Sequence, residues 1–510
     1  MIISLSVLVI TIIVSGTYAL YKAQLSKNIG VNTTTHGLAY YINYVKGTDI
    51  TAATLNPSTS YEGGASSDIE FWKKDDSYDI YGKIELTVNT IGTNLSNSPA
   101  LKYAVVNNGN VLKEGSLKGT TSGSKVTILK NLYLEQTKQI YTVYVWLDNS
   151  EELGNISNES LSISVDCTAS LQKEPTAADT IISLYTSAAK VTATNNSITY
   201  NTAPSVSLMN DRLGGTTTSL DGGNIRYYGA SPNNYIYFNC SDYSNQTSST
   251  CETWRIIGVF DGKLKLIRGS QIGKYSWDNK NTSTGAEDDR GKNDWTTARL
   301  MKLLNPDDYY INDNNDKDSE GNYLGYSLYY NSASGMCFTD EGVNYSACDF
   351  TSTGIKNDET RNMIAETTYN LGGWNDTGVY PNEIYEYERG TTVYTGRPTT
   401  WTGKIALAYP SDYGYAADLN QCKQTLANYD NSTCTSNNWM KAIITDNGSN
   451  HGWLLTPDSS YSFGAWYSHG NVGEYFTGAA RGAVPVLSLS SKLGIESGDG
   501  SSSNPYKLSA

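Results

Sequence analysis

Histidine is scarce in this chain, with three in 510 residues, at His36, His451 and His469. None belongs to an H-E-x-x-H helix pattern, a G-x-S-x-G elbow or a Cys/His dyad, so the usual zinc-hydrolase and nucleophilic-hydrolase signatures are missing. Basic residues are also in deficit, 37 against 51 acidic ones, giving a net charge of −14. A field of that sign repels phosphate backbones and anionic headgroups, which argues against nucleic acid or anionic lipid as a partner. The seven cysteines include no C-x2-C pair and no interleaved histidines, so they match no zinc ligand set. Beyond Leu20 no apolar run is long enough to span a bilayer. Phenylalanine is rare, at seven residues beside forty tyrosines. Tyrosine joins apolar area to a polar tip and suits exposed binding surfaces, although AT-rich codon usage would enrich Tyr and Asn together.

Six of the cysteines form three local pairs: Cys240 with Cys251, Cys337 with Cys348, and Cys422 with Cys434. Members of each pair are eleven or twelve residues apart in polar, loop-like sequence, which suits three small covalent loops. Disulfides persist outside the reducing cytosol, so an exported protein is expected. The N-terminus agrees. Met1 to Leu20 carries no charge and would span roughly 30 Å as a helix. It ends in Ser15-Gly16-Thr17-Tyr18-Ala19, whose small residues fit a signal-peptidase site after Ala19. No Lys or Arg precedes the run, and residues 1–21 are left as either a cleaved signal peptide or a membrane anchor.

Residues 30–170 carry repeated strand signals. Ile80, Gly82, Ile84, Leu86 and Val88 alternate with polar neighbours, as do Tyr141, Val143, Val145 and Leu147, and then Leu161, Ile163 and Val165. A turn is expected at Asn108-Gly109. Short alternating strands with Gly/Asn/Ser turns predict an antiparallel β-sandwich. Cys167 continues the 161–163–165 face and is expected as a buried thiol, with an intermolecular disulfide as the alternative. The apolar leader ending in S-G-T-Y-A, followed by a sandwich, resembles the TasA/camelysin class of bacterial surface and biofilm-fibre proteins. That resemblance implies cleavage near Ala19 and self-assembly through the sandwich by strand exchange.

Residues 171–222 read as a helical and polar linker. Ala177, Ala178, Ile181, Ile182, Leu184 and Tyr185 follow Pro175 at helical spacing, and Gly-rich sequence comes after them. A helix docked on the second module is the competing reading. Residues 223–510 mix strands with a few helices, predicting an α+β domain. Trp254 to Phe260, Asp261-Gly262 and Lys263 to Arg268 form a strong hairpin signal. Helices are expected over Trp295–Leu304 and Lys356–Thr368, and strands over Lys404–Tyr409, Gly452–Pro457, Ala465–Ser468 and Ala483–Leu489. The fold class is thus mainly β plus α+β.

The order of W-R-I-I at Trp254, L-L-N at Leu303, P-S-D-Y-G-Y-A at Pro410, W-L-x-x-P at Trp453 and R-G-x-x-P-V at Arg481 resembles a bacterial extracellular domain family without assigned function. The resemblance implies a C-type-lectin-like or formylglycine-generating-enzyme-like fold, in which binding is the commoner use. Fold kinship does not transfer activity, and the local cysteine pairs leave no reactive pair for formylglycine chemistry.

Aromatics and Arg gather late in the chain, and Trp401, Tyr413, Trp466, Tyr467 and Arg481 are the expected ligand-binding residues, with Trp453 expected in the core. His451 and His469 flank the Trp453 strand and are expected as ordinary loop histidines. Trp374-Asn375-Asp376 imitates a lectin calcium triplet without an upstream carboxylate partner, and the acidic loop Asn312–Asn322 lacks an EF-hand's glycine and glutamate. Calcium is therefore optional, and no other cofactor, metal or catalytic residue is expected. The expected function is recognition or adhesion at the bacterial cell surface or after secretion, non-catalytic, with a glycan or peptide ligand. A secreted enzyme and a structural fibre or coat subunit are the alternatives.

Overall fold

The computed structural model describes residues 23–24, 41–51, 55–151, 153–156, 159–212, 223–279, 286, 288, 290–306, 327–331, 333–338 and 345–509, with backbone alone at 23–24, 333–338 and 345–348. The expected leader or anchor, His36 and the acidic loop at 312–322 fall outside these residues. Among the described residues no helix is long and apolar enough to cross a membrane. The chain is mainly β with a few short helices, and it divides into two compact units, Met1–Glu174 and Pro175–Ala510.

In the first unit two largely antiparallel sheets enclose one core. One sheet places Leu161–Ser170 beside Tyr81–Ile91, which pairs in turn with Lys125–Tyr133. The other runs Ile42–Val45, Ala65–Lys73, Ile140–Asp148, Leu101–Asn107 and Asn110–Ser116. Period-two alternation delivers Ile84, Leu86, Val88, Ile163 and Val165 from the first sheet against Ile69, Phe71, Val105, Val143 and Val145 from the second. The sandwich expectation is met. Asn108 and Gly109 both take positive φ, 49° and 77°, the geometry that a two-residue hairpin turn requires. Gly82 is needed for packing, because a Cβ there would lie 2.4 Å from the Phe71 ring. Cys167 pairs in register with Ile84 and is fully buried and free, as its place on the strand face predicted.

The second unit begins earlier than the sequence suggested. Residues 175–210, expected within a spacer, are part of its structure. Thr176 caps helix Ala177–Ser187 by accepting from Asp179 N at 3.1 Å, while the Asp179 carboxylate accepts from Thr176 N at 2.9 Å. Ala177, Ile181 and Tyr185, four apart, bury one face in the second unit's main core. Strands Val191–Asn195, Ile198–Ala203 and Leu208–Asn210 then open a nine-stranded antiparallel sheet that continues through Ile225–Tyr227, Glu252–Phe260, Lys263–Arg268, Val486–Ser488 and Ile405–Ala406. The linker reading failed because Thr and Asn in these strands look like punctuation, yet Asn201, Thr202 and Asn210 are buried.

The Asp261-Gly262 hairpin forms with Phe260 opposite Lys263, and both turn residues have positive φ. Two expected helices are shorter than the sequence suggested. Arg299–Leu304 replaces Trp295–Leu304, and Asp358–Met363 replaces Lys356–Thr368, whose end becomes strand Thr367–Asn370 paired with Thr400–Gly403. β-branched Thr367 and Thr368 favour the pairing over another helical turn. A second sheet has the order Gly273–Ser276, Ala480–Ala483, Gly452–Pro457, Gly464–Ser468 and Val472–Phe476. Disulfides join Cys240 to Cys251 and Cys422 to Cys434. Cys337 and Cys348 lie on paired strands whose side chains fall outside the described residues.

A buried ionic network ties the nine-stranded sheet to a short helix, Pro410–Tyr415. Asp412 accepts from Arg226 Nη1 at 2.9 Å and from Lys265 Nζ, while Arg226 Nε bonds Asp211 at 2.5 Å. The four charges cancel, and none of their side chains is more than 7% exposed. Burial alone would raise the Asp412 carboxyl, but Lys265 and Arg226 hold it below its ordinary value.

Two outcomes are expected. Iodoacetamide should leave Cys167 unlabelled in the folded protein and modify it fully in denaturant, because burial raises its thiol pKa and closes access; rapid native labelling by mass spectrometry would contradict this placement. Asp412→Ala should cost about 3–5 kcal/mol in denaturant unfolding, since it strands buried Lys265 and leaves Arg226 with Asp211 alone. A loss below about 1 kcal/mol would mean that the network contributes little.

Candidate functional site

The second sheet carries a cluster of rings around one guanidinium. Arg481 lies on Ala480–Ala483, Trp453 on Gly452–Pro457, Tyr467 on Gly464–Ser468 and Tyr475 on Val472–Phe476. Register explains the gathering. Trp453 is opposite Tyr467, Tyr467 opposite Gly473 and Ala465 opposite Tyr475, so Tyr467 and Tyr475 share a face as a diagonal pair 6.4 Å apart. Gly473 makes room, since a Cβ there would lie 3.1 Å from the Tyr467 ring. His451 enters from just before its strand and stacks parallel to Tyr467 at 5.2 Å, with His469 4.1 Å from it on the other hairpin.

The Arg481 guanidinium lies 3.9 Å from the Tyr467 ring centroid, 4.4 Å from Tyr475 and 5.4 Å from Trp453. Its side chain is 9% exposed, and Nη1 donates to His451 Nδ1. Arginine only donates, so Nδ1 must be the acceptor and the His451 proton resides on Nε2. Among the described residues no carboxylate pairs with Arg481, and its Nε has no hydrogen-bond partner. Two other buried arginines are treated differently. Arg226 has two aspartates, and Arg255 is taken by the Asn234 side chain and the Pro232 carbonyl. Burial and the adjacent Arg481 charge, with smaller help from His469 and Lys274, push His451 down to about 4, so it is neutral at pH 7. Burial also lowers Arg481 itself.

The five residues expected to bind ligand divide. Tyr467 and Arg481 meet here. Tyr413 and Trp466 are fully buried, the former donating to the Gly470 carbonyl at 2.6 Å and the latter to Trp374 at 3.2 Å. Trp401 packs against Trp295 and Tyr369 in the main core. These three are corrected to core residues. Trp453 is buried as expected, with its indole N–H on the Tyr275 carbonyl. Tyr475, at 43% exposure, and the exposed His469 were missed as part of a site.

No protein-family model matches this chain, and no curated protein does. One solved structure, titled as a crystal structure of a mutant of HCR/D, is 11% identical over 53% of this chain and 76% of that one. Its TM-score of 0.15 is too low to carry an argument.

A second group is acidic. Glu474, opposite Trp466, is pushed up to about 8 by partial burial and by the Asp458 and Asp376 carboxylates. Among the described residues, no group of three or more His, Cys, Asp or Glu side chains converges to hold a metal ion. Trp374 of the W-N-D triplet stacks on Tyr387 at 3.8 Å. The two histidines meet, but among the described residues neither side chain hydrogen-bonds a carboxylate or a hydroxyl. The cluster therefore offers donors and flat apolar surface around one positive charge.

An NMR titration should place the His451 imidazole near pH 4, and Arg481→Gln should move it upward towards 6.5. The folded value is depressed, so His451's contribution to stability is complete above about 6.5 and is lost as pH falls towards 4. An imidazole midpoint near 6.5 in the unmodified protein would refute this geometry.

Proposed function

We propose that this chain is a bacterial cell-surface or secreted recognition protein that binds its ligand at the Arg481 cluster without turning it over. The supporting observation is Arg481, 9% exposed, its guanidinium caged by Tyr467 and Tyr475 and without a carboxylate partner among the described residues. Such an arrangement is costly for folding alone, because a buried cation normally acquires a counter-charge. It is reasonable where a ligand supplies the missing group. Aromatic rings beside directional donors are the usual composition of a recognition surface.

Export is supported by the two local disulfides, which favour an oxidising compartment, and by the leader's sequence. The C-type-lectin-like and TasA/camelysin-like resemblances are part of the same reading. In it the sandwich acts as stalk or fibre module, able to self-assemble, and the second unit as the lectin-like head. A glycan or a peptide fits the composition of the cluster. The enzyme reading gains the contact between His451 and His469 but lacks an orienting carboxylate.

Glycan and peptide arrays probed with the full chain test the proposal. Reproducible binding should weaken about tenfold in Tyr475→Ala, a change at an exposed ring that spares the core. Equal binding by that variant would exclude this site, and turnover of an ester or peptide substrate would replace recognition with catalysis.

A further inference from the structure

Resting on the recognition reading, we infer that the Arg481 site takes the carboxylate of an acidic sugar, a uronate-type residue in a saccharide. Three observations lead there. First, the guanidinium is stacked rather than paired. Tyr467 and Tyr475 cover it at 3.9 and 4.4 Å, and its Nη2 hydrogen-bonds nothing among the described residues. A stacked guanidinium keeps its edge N–H groups for a planar oxyanion, and loss of hydration at the ring strengthens that bond.

Second, the remaining groups suit hydroxyls and a pyranose ring. His451 presents a neutral Nε2–H, held in that tautomer by Arg481, and exposed His469 is beside it. Tyr475 and Phe476, with ring centroids 4.2 Å apart and planes tilted by 31°, pack on one another beside the charge and present their ring edges. A sugar ring set against these edges would bring its carboxylate to Arg481. The chain's net charge of −14 disfavours a polyanion of high charge density, whereas one carboxylate per ring is compatible with a local positive site.

Third, a peptide's C-terminal carboxylate is disfavoured. Its capture ordinarily uses a nest of free backbone N–H groups. Here Ala480–Ala483 pairs with Gly273–Ser276 and meets Gly452, while Gly464–Ser468 is paired on both sides. The ladder has taken the amides of these inner strands, and no nest of convergent N–H groups faces Arg481 among the described residues; Val472–Phe476 is at the sheet's edge, paired on one side.

The test compares oligogalacturonate with its methyl ester, titrated calorimetrically into the full chain. Esterification removes the charge and leaves the ring, and it leaves the protein unaltered, so folding is not at issue. The acid should bind about 10- to 100-fold tighter than the ester, the range for a lost charge-assisted hydrogen bond. Arg481→Gln, checked for folding by its unfolding transition, should abolish that difference. Equal affinity for acid and ester would overturn the acidic-sugar assignment while leaving recognition intact. Tighter binding of peptides with a free C-terminus than of the uronate would do the same. No binding to any saccharide or peptide would instead remove the recognition reading on which this inference stands.

Discussion

Asp412 holds the second unit together at one point, because its carboxylate serves three partners at once. It accepts from Arg226 and Lys265 on two strands of the nine-stranded sheet and from Tyr409 N at 3.1 Å, at the start of its own helix. Pro410 follows Tyr409 at the first helical position, where a missing N–H is no loss. The same carboxylate thus ends the unsatisfied amides of a helix and neutralises two cations that burial would otherwise expel. Its neighbour Ser411 donates backbone N–H and hydroxyl to Glu388, the last residue of helix Pro381–Glu388. Burial pushes the Glu388 carboxyl up to about 7, against the pull of Arg389 and Ser411. Two helices and a sheet therefore meet through polar groups whose directions fix one arrangement, where apolar contact alone would allow sliding.

Around that point the core is filled by rings. Arg226 lies 4.6 Å from the Phe260 ring and 4.7 Å from Tyr415, while Trp277, Trp295 and Trp401 touch in series. Tyrosine's abundance acquires a physical explanation here. Tyr413 and Tyr429 are buried with their hydroxyls on the Gly470 and Gly414 carbonyls. Each tyrosine contributes apolar area and also satisfies a backbone carbonyl that a phenylalanine would leave open. Much of the tyrosine signal, read from composition as binding surface, belongs to the interior.

How far the sequence was legible follows from the same chemistry. Strands with one clean face, such as Tyr81–Ile91, and turns needing positive φ, such as Asn108-Gly109 and Asp261-Gly262, were readable because a local rule decides them. Ala65–Lys73 was not, since its inward positions include Ser67 and Lys73; the latter is buried only because Asp76 and the Tyr133 hydroxyl receive its ammonium. Helices Pro381–Glu388 and Pro410–Tyr415 hide behind Tyr-Pro openings and a Gly414 that reads as a breaker. The candidate site was half legible. Tyr467 and Arg481 were named, yet naming adjacent Trp466 and Tyr467 together ignored that successive strand residues point to opposite faces. Tyr475 required the hairpin register, which sequence spacing alone does not supply.

The proposed reading rests on a contrast in how buried cations are compensated. Arg226 and Lys265 have their counter-charges inside the fold, so their role ends with stability. Arg255 lacks a carboxylate, but Asn234 and the Pro232 carbonyl take its donors and Tyr235 covers its plane at 3.7 Å. Arg481 has neither arrangement. Among the described residues its one polar contact is a histidine whose proton affinity it suppresses, and the Tyr475 ring beside it is exposed. A fold that neutralises Arg226 so thoroughly has the means to neutralise Arg481, for instance by an acid in place of Gly473, opposite Tyr467. Glycine there instead keeps the tyrosine ring in place and the charge unanswered. On the proposed reading, that unanswered charge sets what a ligand must bring, which is a negative group small enough to reach between two tyrosines.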